Sequence, residues 1–458
     1  MSTTTKISSW CALAMLSVSA TSLGQGLPEP VSRVMDPPPA DLVLENGQIY
    51  TPKGWATSIA VGKGLILAVG DAQAVKPHRT SRTRVIDLHG DTVFPGLNDA
   101  HVHVLWGGAG FPQKPLPASH AERVAAIEAG AKSMLSFGVT SFNDALSEEE
   151  DMKIFTALAD AGKLKQRVKI CIRWDGGNAN AAAEALIKNR AQFARPRIDP
   201  SCVKLYTDGA PMGRTSRMLE PYEGDPHNYG AWTIPPDQLK PLVQRFDAQG
   251  LTVKIHATGD ESARSALDAI GAARRANGWS GSLHEVAHNS FVALADLQRV
   301  RAIGAVLEFS PFIWYPTPLE DVLTRKTVGD ERMERVHPVR EAIDAGALVV
   351  GGSDWPFAES VSPWLGIETL VTRRTPGGGN KAVAEKEAIS LREAIDMFTV
   401  NAAAARGVRH ELGAIEAGLI ADLVVLDRNP LRIPITDVHL TRAKRVFIAG
   451  EQVYDAGS

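Results

Sequence analysis

Residues 92–103 read Thr-Val-Phe-Pro-Gly-Leu-Asn-Asp-Ala-His-Val-His, an apolar run that leads into two histidines spaced by one residue. In an extended strand, residues i and i+2 project from the same face, so the imidazoles of His101 and His103 can bind one metal ion. The alternative is a pair of surface or core histidines that share this spacing by chance. The strand, glycine and aspartate context favours a metal site at the end of a strand.

Further apolar segments that predict buried strands follow this stretch, and segments with helical periodicity separate them. Eight strands that alternate with helices over about 250 residues or more predict a (β/α)8 TIM barrel. The active site of such a barrel gathers at the C-terminal ends of its strands. The predicted strands are residues 93–100, 139–143, 168–174, 203–208, 252–257, 283–288, 305–310 and 348–354.

Short alternating runs lie on both sides of the predicted barrel. Those in residues 41–93 are broken by turn residues such as Asn46-Gly47 and Gly90, a pattern typical of a small antiparallel sheet. Similar runs near the C-terminus predict further strands of the same sheet. We therefore expect a β-sandwich formed from both chain ends, residues 41–93 and 408–458, around a barrel of residues 94–407.

The N-terminus has the features of an export signal. Lys6 precedes an apolar stretch over residues 10–20 and then small residues, which fits a signal peptide of residues 1–24 better than a membrane span. Residues 25–40 are rich in proline and glycine and predict a linker. The mature protein is thus expected to be periplasmic or secreted, with no membrane span after signal removal.

Two cysteines, Cys171 and Cys202, remain after the signal, each inside a predicted strand. Export permits a disulfide, but cysteines in buried strands more often remain thiols, so we predict two free thiols.

The charge balance bears on the partners of the protein. The chain of 458 residues has 49 basic and 52 acidic side chains, a formal net charge of −3, and no long run of Lys or Arg. This composition argues against nucleic acid as a partner. A small-molecule substrate is expected, and a homo-oligomer is compatible with the sequence.

Polar residues cluster at the predicted strand ends. Taken singly, each histidine could be a satisfied core residue, and the aspartate could cap a turn. Together, four imidazoles and one carboxylate at one rim predict a metal centre, because divalent cations accept these ligands. The candidate ligands are His101, His103, His256, His288 and Asp354.

Lys204 lies in the fourth predicted strand and requires a separate interpretation. An ammonium group has no lone pair for a cation, but a lysine inside a metal-lined rim would have a lowered pKa and could react with CO2. The resulting carbamate, N6-carboxylysine, is a carboxylate that can bridge two cations. The alternative is a lysine that binds a substrate carboxylate or a structural aspartate such as Asp208.

Four motifs stand at the predicted strand ends: Pro-Gly-Leu-Asn-Asp-Ala-His-Val-His (95–103), Val-Lys-Leu-Tyr-Thr-Asp-Gly-Ala (203–210), His-Ala-Thr-Gly-Asp (256–260) and Gly-Ser-Asp-Trp-Pro (352–356). Together they resemble the amidohydrolase superfamily, and within it the YtcJ-like branch (amidohydrolase family 3). The resemblance covers about residues 41–456. It implies a metal-dependent hydrolase with two divalent ions, of which zinc is the expected metal. By position, it implies that His101, His103 and Asp354 hold one ion, that His256 and His288 hold the other, and that carboxylated Lys204 bridges them.

The predicted ligands favour hydrolysis by a metal-activated hydroxide. We expect Asp354 to take a proton from the attacking water and to pass it to the leaving atom. An amide or related C–N bond is the expected target. An esterase, lactonase or phosphotriesterase could use the same metal centre, and a barrel that binds metal without catalysis is a further alternative.

Six other residues near the predicted rim are candidates for substrate binding. Arg214 and Arg217 could bind a substrate carboxylate, although both could equally lie in a solvated loop. The other four could line the pocket or pack against loops. They are Tyr206, Asp208, Trp106 and Trp355.

Overall fold

The computed structural model describes residues 37–176, 180–310 and 315–457. The strands are β1 (Leu42–Glu45), β2 (Gln48–Thr51), β3 (Gly54–Ala56), β4 (Ser58–Gly62), β5 (Leu65–Gly70), β6 (Arg84–Asp87), β7 (Thr92–Pro95), β8 (Leu97–Val102), β9 (Val139–Ser147), β10 (Arg167–Arg173), β11 (Ile198–Tyr206), β12 (Thr252–Ala257), β13 (His284–His288), β14 (Ala305–Phe309), β15 (Leu348–Gly351), β16 (Leu423–Leu426), β17 (Ala443–Ile448) and β18 (Glu451–Asp455). The α-helices are α1 (Ala72–Val75), α2 (Val104–Ala109), α3 (His120–Leu135), α4 (Glu149–Asp160), α5 (Ala181–Asn189), α6 (Pro236–Ala248), α7 (Asp260–Asn277), α8 (Leu294–Leu297), α9 (Arg325–Val328), α10 (Asp330–Met333), α11 (Val339–Asp344), α12 (Pro363–Thr372), α13 (Leu391–Met397) and α14 (Val400–Ala405).

Strands β8 to β15 form one sheet of eight parallel strands in chain order. A parallel bridge between Val102 and Trp355 joins the segment after β15 to β8, which closes the sheet into a barrel. Most residues of these strands are buried, as expected for parallel strands covered by helices. The predicted TIM barrel is confirmed.

The chain enters the barrel at Gly96. The sequence predicts a single strand over residues 93–100, whereas the structure divides this stretch into β7 of the sandwich and β8 of the barrel. The break falls at Gly96 because a Cβ atom there would overlap the side chain of Thr140 on β9. Only glycine allows the backbone to pass so close to the neighbouring strand.

Two further sheets form the β-sandwich. One has the order β5-β4-β1-β6, and the other has the order β18-β17-β16-β7-β2-β3 and so joins both chain ends, as predicted. The expectation of one antiparallel sheet is wrong in detail. Of the C-terminal strands, β16 pairs with β7 rather than with β1, β4 or β5, and the pairs β1–β6 and β2–β7 are parallel. The core between the sheets contains Leu44, Ile59, Val93, Leu423 and Phe447.

The prediction of two free thiols is wrong, because Cys171 and Cys202 form a disulfide. They are register partners on the neighbouring parallel strands β10 and β11, with their Cα atoms 4.2 Å apart. Both residues are fully buried. The two cysteines are 31 residues apart in the sequence, and this spacing does not predict that they are close in space. Their proximity depends on the register of the two strands.

The predicted signal peptide and residues 25–36 of the predicted linker lie outside the described residues. Residues 37–39, which belong to the predicted linker, are exposed and have no regular structure. Among the described residues, the structure contains no helix that is both long and apolar enough to span a membrane.

Candidate metal centre

The first and last strands of the barrel bring His101, His103 and Asp354 together. His101 lies on β8, His103 directly follows that strand, and Asp354 follows β15. The Asp354 N–H donates to the His101 carbonyl over 2.7 Å, and the His103 N–H donates to the Trp355 carbonyl over 2.9 Å. The hydrogen bonds that close the barrel therefore also fix the backbones of these three residues relative to one another.

The three side chains have the geometry of a metal site. Asp354 Oδ1 lies 3.2 Å from His103 Nε2 and 3.6 Å from His101 Nε2. All three residues are buried, and one ligand atom from each lies within 4.8 Å of the others. Two imidazole nitrogens and one carboxylate oxygen suit a borderline divalent cation such as Zn²⁺. These residues therefore fit the metal that the sequence predicts.

His256 and His288 end the neighbouring strands β12 and β13 and lie beside this cluster. The ring centroids of His256 and His288 are 4.4 Å apart, and those of His288 and His101 are 4.7 Å apart. Burial is the main cause that lowers the pKa of His256 to about 4 and the pKa of His288 well below its usual value. Both imidazoles are thus neutral at pH 7, the form that binds metal ions.

Hydrogen bonds leave one nitrogen of each of these rings for a ligand. His256 Nε2 lies 2.9 Å from the Gly209 carbonyl, so its Nδ1 is the nitrogen available for an ion. His288 Nδ1 lies 3.2 Å from Ser310 Oγ, so its Nε2 is the available atom. A fixed partner on the other nitrogen is the usual way in which a protein orients a metal-binding imidazole.

Two of the candidate ligands have left-handed backbone conformations. The φ angles are +75° at His288 and +52° at Asp354. Such conformations are uncommon for residues other than glycine and cost on the order of 1 kcal/mol or more. The surrounding hydrogen bonds hold both residues there, and clusters of this kind are typical of functional sites.

Lys204 on β11 points into the same centre. Its side chain is fully buried, and Nζ lies 3.3 Å from His101 Nε2 and 5.2 Å from the centre of the Tyr206 ring. Burial, followed by the charge of Lys254, lowers the pKa of Lys204 to about 7. The lowered pKa favours the neutral amine form of Lys204.

Sequence reasoning missed Glu308, which lies on β14. Its Oε2 accepts a hydrogen bond from His101 Nδ1 over 2.6 Å, and its Oε1 accepts one from Ser310 Oγ over 3.1 Å. Glu308, His101 and His288 also form a second group of possible metal ligands. Burial raises the pKa of Glu308 to about 7.

Gly352 makes room for this contact. A Cβ atom at Gly352 would lie 2.5 Å from His101 Cβ and 2.8 Å from Glu308 Oε1, so a larger residue would separate the pair. The signal that could have identified Glu308 is an acidic residue inside an otherwise apolar predicted strand, since a buried carboxylate requires a partner.

Three of the predicted substrate-binding residues lie at the site. The Tyr206 ring is 5.1 Å from His256, and the Trp106 ring stacks on His103 with a centroid distance of 5.1 Å. Trp355 directly follows Asp354, and its ring packs over Gly107 of α2. Their predicted role in substrate binding stays a prediction.

Asp208, Arg214 and Arg217 are engaged by the protein itself. The Asp208 carboxylate accepts hydrogen bonds from the N–H groups of Arg217, Thr258 and Gly259. Arg214 donates to the Glu223 carbonyl, and Arg217 Nε lies 2.7 Å from Glu261 Oε2. These contacts hold the loop after β11, and substrate binding by the three residues remains untested.

Comparison with known proteins gives a consistent result. Residues 109–454 match the Amidohydro_3 family, described as an amidohydrolase family. The chain is 28% identical over 306 residues to YtcJ of Bacillus subtilis (strain 168), which is named as an amidohydrolase. This match covers 66% of this chain and 55% of the relative. Over 331 residues, 70% of this chain and 58% of the relative, the chain is 25% identical to the N-substituted formamide deformylase of Arthrobacter pascens. The chain thus spans little more than half the length of these two relatives.

The fold has a close counterpart among solved structures. An uncharacterized metal-dependent hydrolase from Pyrococcus horikoshii OT3 superposes with a TM-score of 0.73 at 21% sequence identity. The match covers 86% of this chain and 99% of that one.

Proposed function

The chain belongs to the amidohydrolase family, and from this premise we propose that it hydrolyses an amide or related C–N bond of a small molecule. Family membership supports a metal-dependent hydrolase. The observation that carries the proposal is the convergence of His101, His103 and Asp354 at the C-terminal end of the barrel. One relative is named as a deformylase of N-substituted formamides, which favours an amide over an ester.

We propose two divalent ions, with zinc as the metal. His101, His103 and Asp354 would hold the first ion, and His256 with His288 the second. Carboxylated Lys204 would bridge the two. When bound, such ions polarise the scissile carbonyl and lower the pKa of water toward about 7.

Asp354 is the group that moves the proton. Its side chain is 12% exposed, so the carboxylate lies at the boundary between the buried ligands and solvent. Oδ1 or Oδ2 accepts a proton from the water that attacks the carbonyl carbon. The same oxygen then donates this proton to the nitrogen as the C–N bond breaks, so that the carboxylate is restored.

Glu308 orients His101. Because the His101 Nδ1–H donates to Glu308, the lone pair of the imidazole lies on Nε2, the nitrogen that faces Asp354 and Lys204. A carboxylate behind a metal-binding histidine fixes the ring and strengthens it as a ligand.

The surroundings of Lys204 support its proposed carboxylation. A neutral Nζ attacks the carbon of CO2, an N–C bond forms, and one proton leaves to solvent. The product is a carbamate with a negative charge. The unmodified side chain would instead place an ammonium group 3.3 Å from His101 Nε2. The low pKa of Lys204 supports this reaction.

Removal of metal tests the proposal. We expect a chelator to abolish hydrolysis of the best substrate in a panel of N-acyl amino acids, dipeptides and cyclic amides, and Zn²⁺ to restore it. Matched esters, lactones and phosphotriesters are assayed in parallel as controls. Full turnover after metal removal, or cleavage of only the oxygen esters, would contradict the proposal.

We also propose that the protein is exported to the periplasm or secreted. The disulfide between Cys171 and Cys202 supports this location, because disulfides persist in oxidising compartments. The predicted signal peptide is the independent support.

The disulfide can be tested directly. Replacement of Cys171 and Cys202 by alanine is expected to lower the free energy of unfolding by about 3 kcal/mol, because the cross-link restricts the unfolded chain. The measurement is denaturant unfolding with and without a reductant, and the reductant should affect the wild type but not the variant. Two thiols that can be alkylated in the unfolded, unreduced wild type would show that the bond is absent.

A further inference from the structure

Three aromatic side chains stand beside His103 and form what we call the aromatic wall: Trp106, Phe111 and Phe357. The ring centroids of Trp106 are 5.5 Å from Phe111 and 5.7 Å from Phe357. Phe111 and Phe357 are 6.3 Å apart. These distances and the tilted ring orientations are typical of favourable aromatic contacts.

The wall is attached to the metal ligands through rings and backbone. The Phe357 ring contacts His103 edge to face at 5.7 Å, and Trp106 stacks on the same imidazole. The Phe357 N–H donates to the Asp354 carbonyl over 2.9 Å, and Trp106 lies on α2, which begins directly after His103. The wall therefore has a fixed position relative to His103 and Asp354.

Core packing does not account for Phe357. Its side chain is 52% exposed, although it contacts three other rings, and Trp106 and Phe111 are only partly buried. A cluster of large apolar side chains that stays open to solvent at the mouth of a site is typical of a ligand-binding surface.

Among the described residues, the rings of the wall contact one another and the imidazole of His103. Different side chains lie beside His256: the Tyr206 ring contacts this imidazole, and burial, followed by the charge of Asp354, raises the pKa of Tyr206. Arg173 and Asp175, an ion pair at the end of β10, lie near Tyr206. Apolar rings thus lie beside His103, whereas polar and charged side chains lie near His256 and Tyr206.

We propose that the aromatic wall binds a planar or bulky apolar group of the substrate, attached close to the scissile bond. This inference rests on the proposed function and names its substrate class: amides with an aryl or arylalkyl group on one side of the bond. The bound group must lie close to the scissile bond, because the centre of the Phe357 ring is only 5.7 Å from the ring of the candidate metal ligand His103. Phe357 is the specificity-determining residue, since it has the most exposed ring of the wall.

A set of three substrates tests the proposal on the metal-loaded protein. N-acetylglycine has no ring, N-benzoylglycine has one on the acyl side, and N-acetylphenylalanine has one on the amine side. We expect one of the two ring-bearing amides to exceed N-acetylglycine in kcat/KM by about tenfold or more. Phe357→Ala should remove most of this preference, mainly through KM, and Phe357→Leu should retain part of it.

Trp55→Ala is the matched control, because Trp55 is an aromatic residue of the sandwich with a similar exposure of 43%. It should leave the preference intact. If Phe357→Ala lowers kcat/KM equally for all three amides, the role of Phe357 is structural and the proposal is wrong.

Binding provides a readout that does not depend on turnover. Benzohydroxamic acid should bind the metal-loaded protein about tenfold more tightly than acetohydroxamic acid, as measured by calorimetry, and Phe357→Ala should reduce this ratio. If this result holds but no amide is cleaved, the proposed function fails and the aromatic subsite stands. If amides are cleaved while both ratios stay near one, the subsite is wrong and the proposed function stands.

Discussion

Asp354→Asn is expected to lower kcat by about 10² to 10⁴, the range typical of a general acid–base group. Asparagine has nearly the same shape and can still contact His101 and His103, but it cannot accept the proton of the attacking water. The backbone hydrogen bond between Asp354 and His101 does not involve the side chain, so the closed barrel should persist. The measurement is steady-state kinetics on zinc-reconstituted protein, with metal content and thermal unfolding determined on the same samples.

Asp268→Asn provides the matched control for this variant. Asp268 is a largely exposed carboxylate on α7 and is paired with Arg299. We expect its replacement to leave kcat unchanged within experimental error. Near-normal turnover by a metal-loaded Asp354→Asn variant would show that another group moves the proton.

The barrel could be predicted from sequence because its strands are buried on both faces and therefore read as near-continuous apolar runs. Strand β12, for example, is predicted at residues 252–257 and observed at Thr252–Ala257. The boundary at Gly96 could not be predicted in this way. Pro95 and Leu97 on either side of it are both apolar and buried, and the division appears only in the strand pairing and in the close approach of Gly96 to Thr140.

The candidate ligands could be predicted for a related reason. Parallel strands place their C-terminal ends at one edge, so His101, His256, His288 and Asp354 converge once the barrel is assumed. The role of Glu308 and the disulfide could not be predicted in this way, because both depend on contacts between strands. The contact of Glu308 with His101 joins the seventh strand of the barrel to the first, and the pairing of Cys171 with Cys202 depends on register, which periodicity alone does not fix.

Lys204→Ala is expected to reduce the metal content from about two ions to one or fewer per chain and to abolish most turnover. The bridge would be lost, and each remaining ligand set would have one donor fewer. Elemental analysis of freshly purified protein measures the metal content, and thermal unfolding establishes that the variant folds. An added short carboxylate such as acetate, which can occupy the space of the missing side chain, should restore part of the metal binding.

A second arm tests the carbamate in the unaltered chain. Wild-type protein is stripped of metal at low pH, where a carbamate decomposes, and is then reloaded with Zn²⁺ with or without bicarbonate. If Lys204 is carboxylated, bicarbonate should raise the zinc content and the activity of the wild type but should have no effect on Lys204→Ala beyond that of other small anions. Equal reloading in CO2-free buffer, or a metal content unchanged in Lys204→Ala, would show that Lys204 is not a ligand.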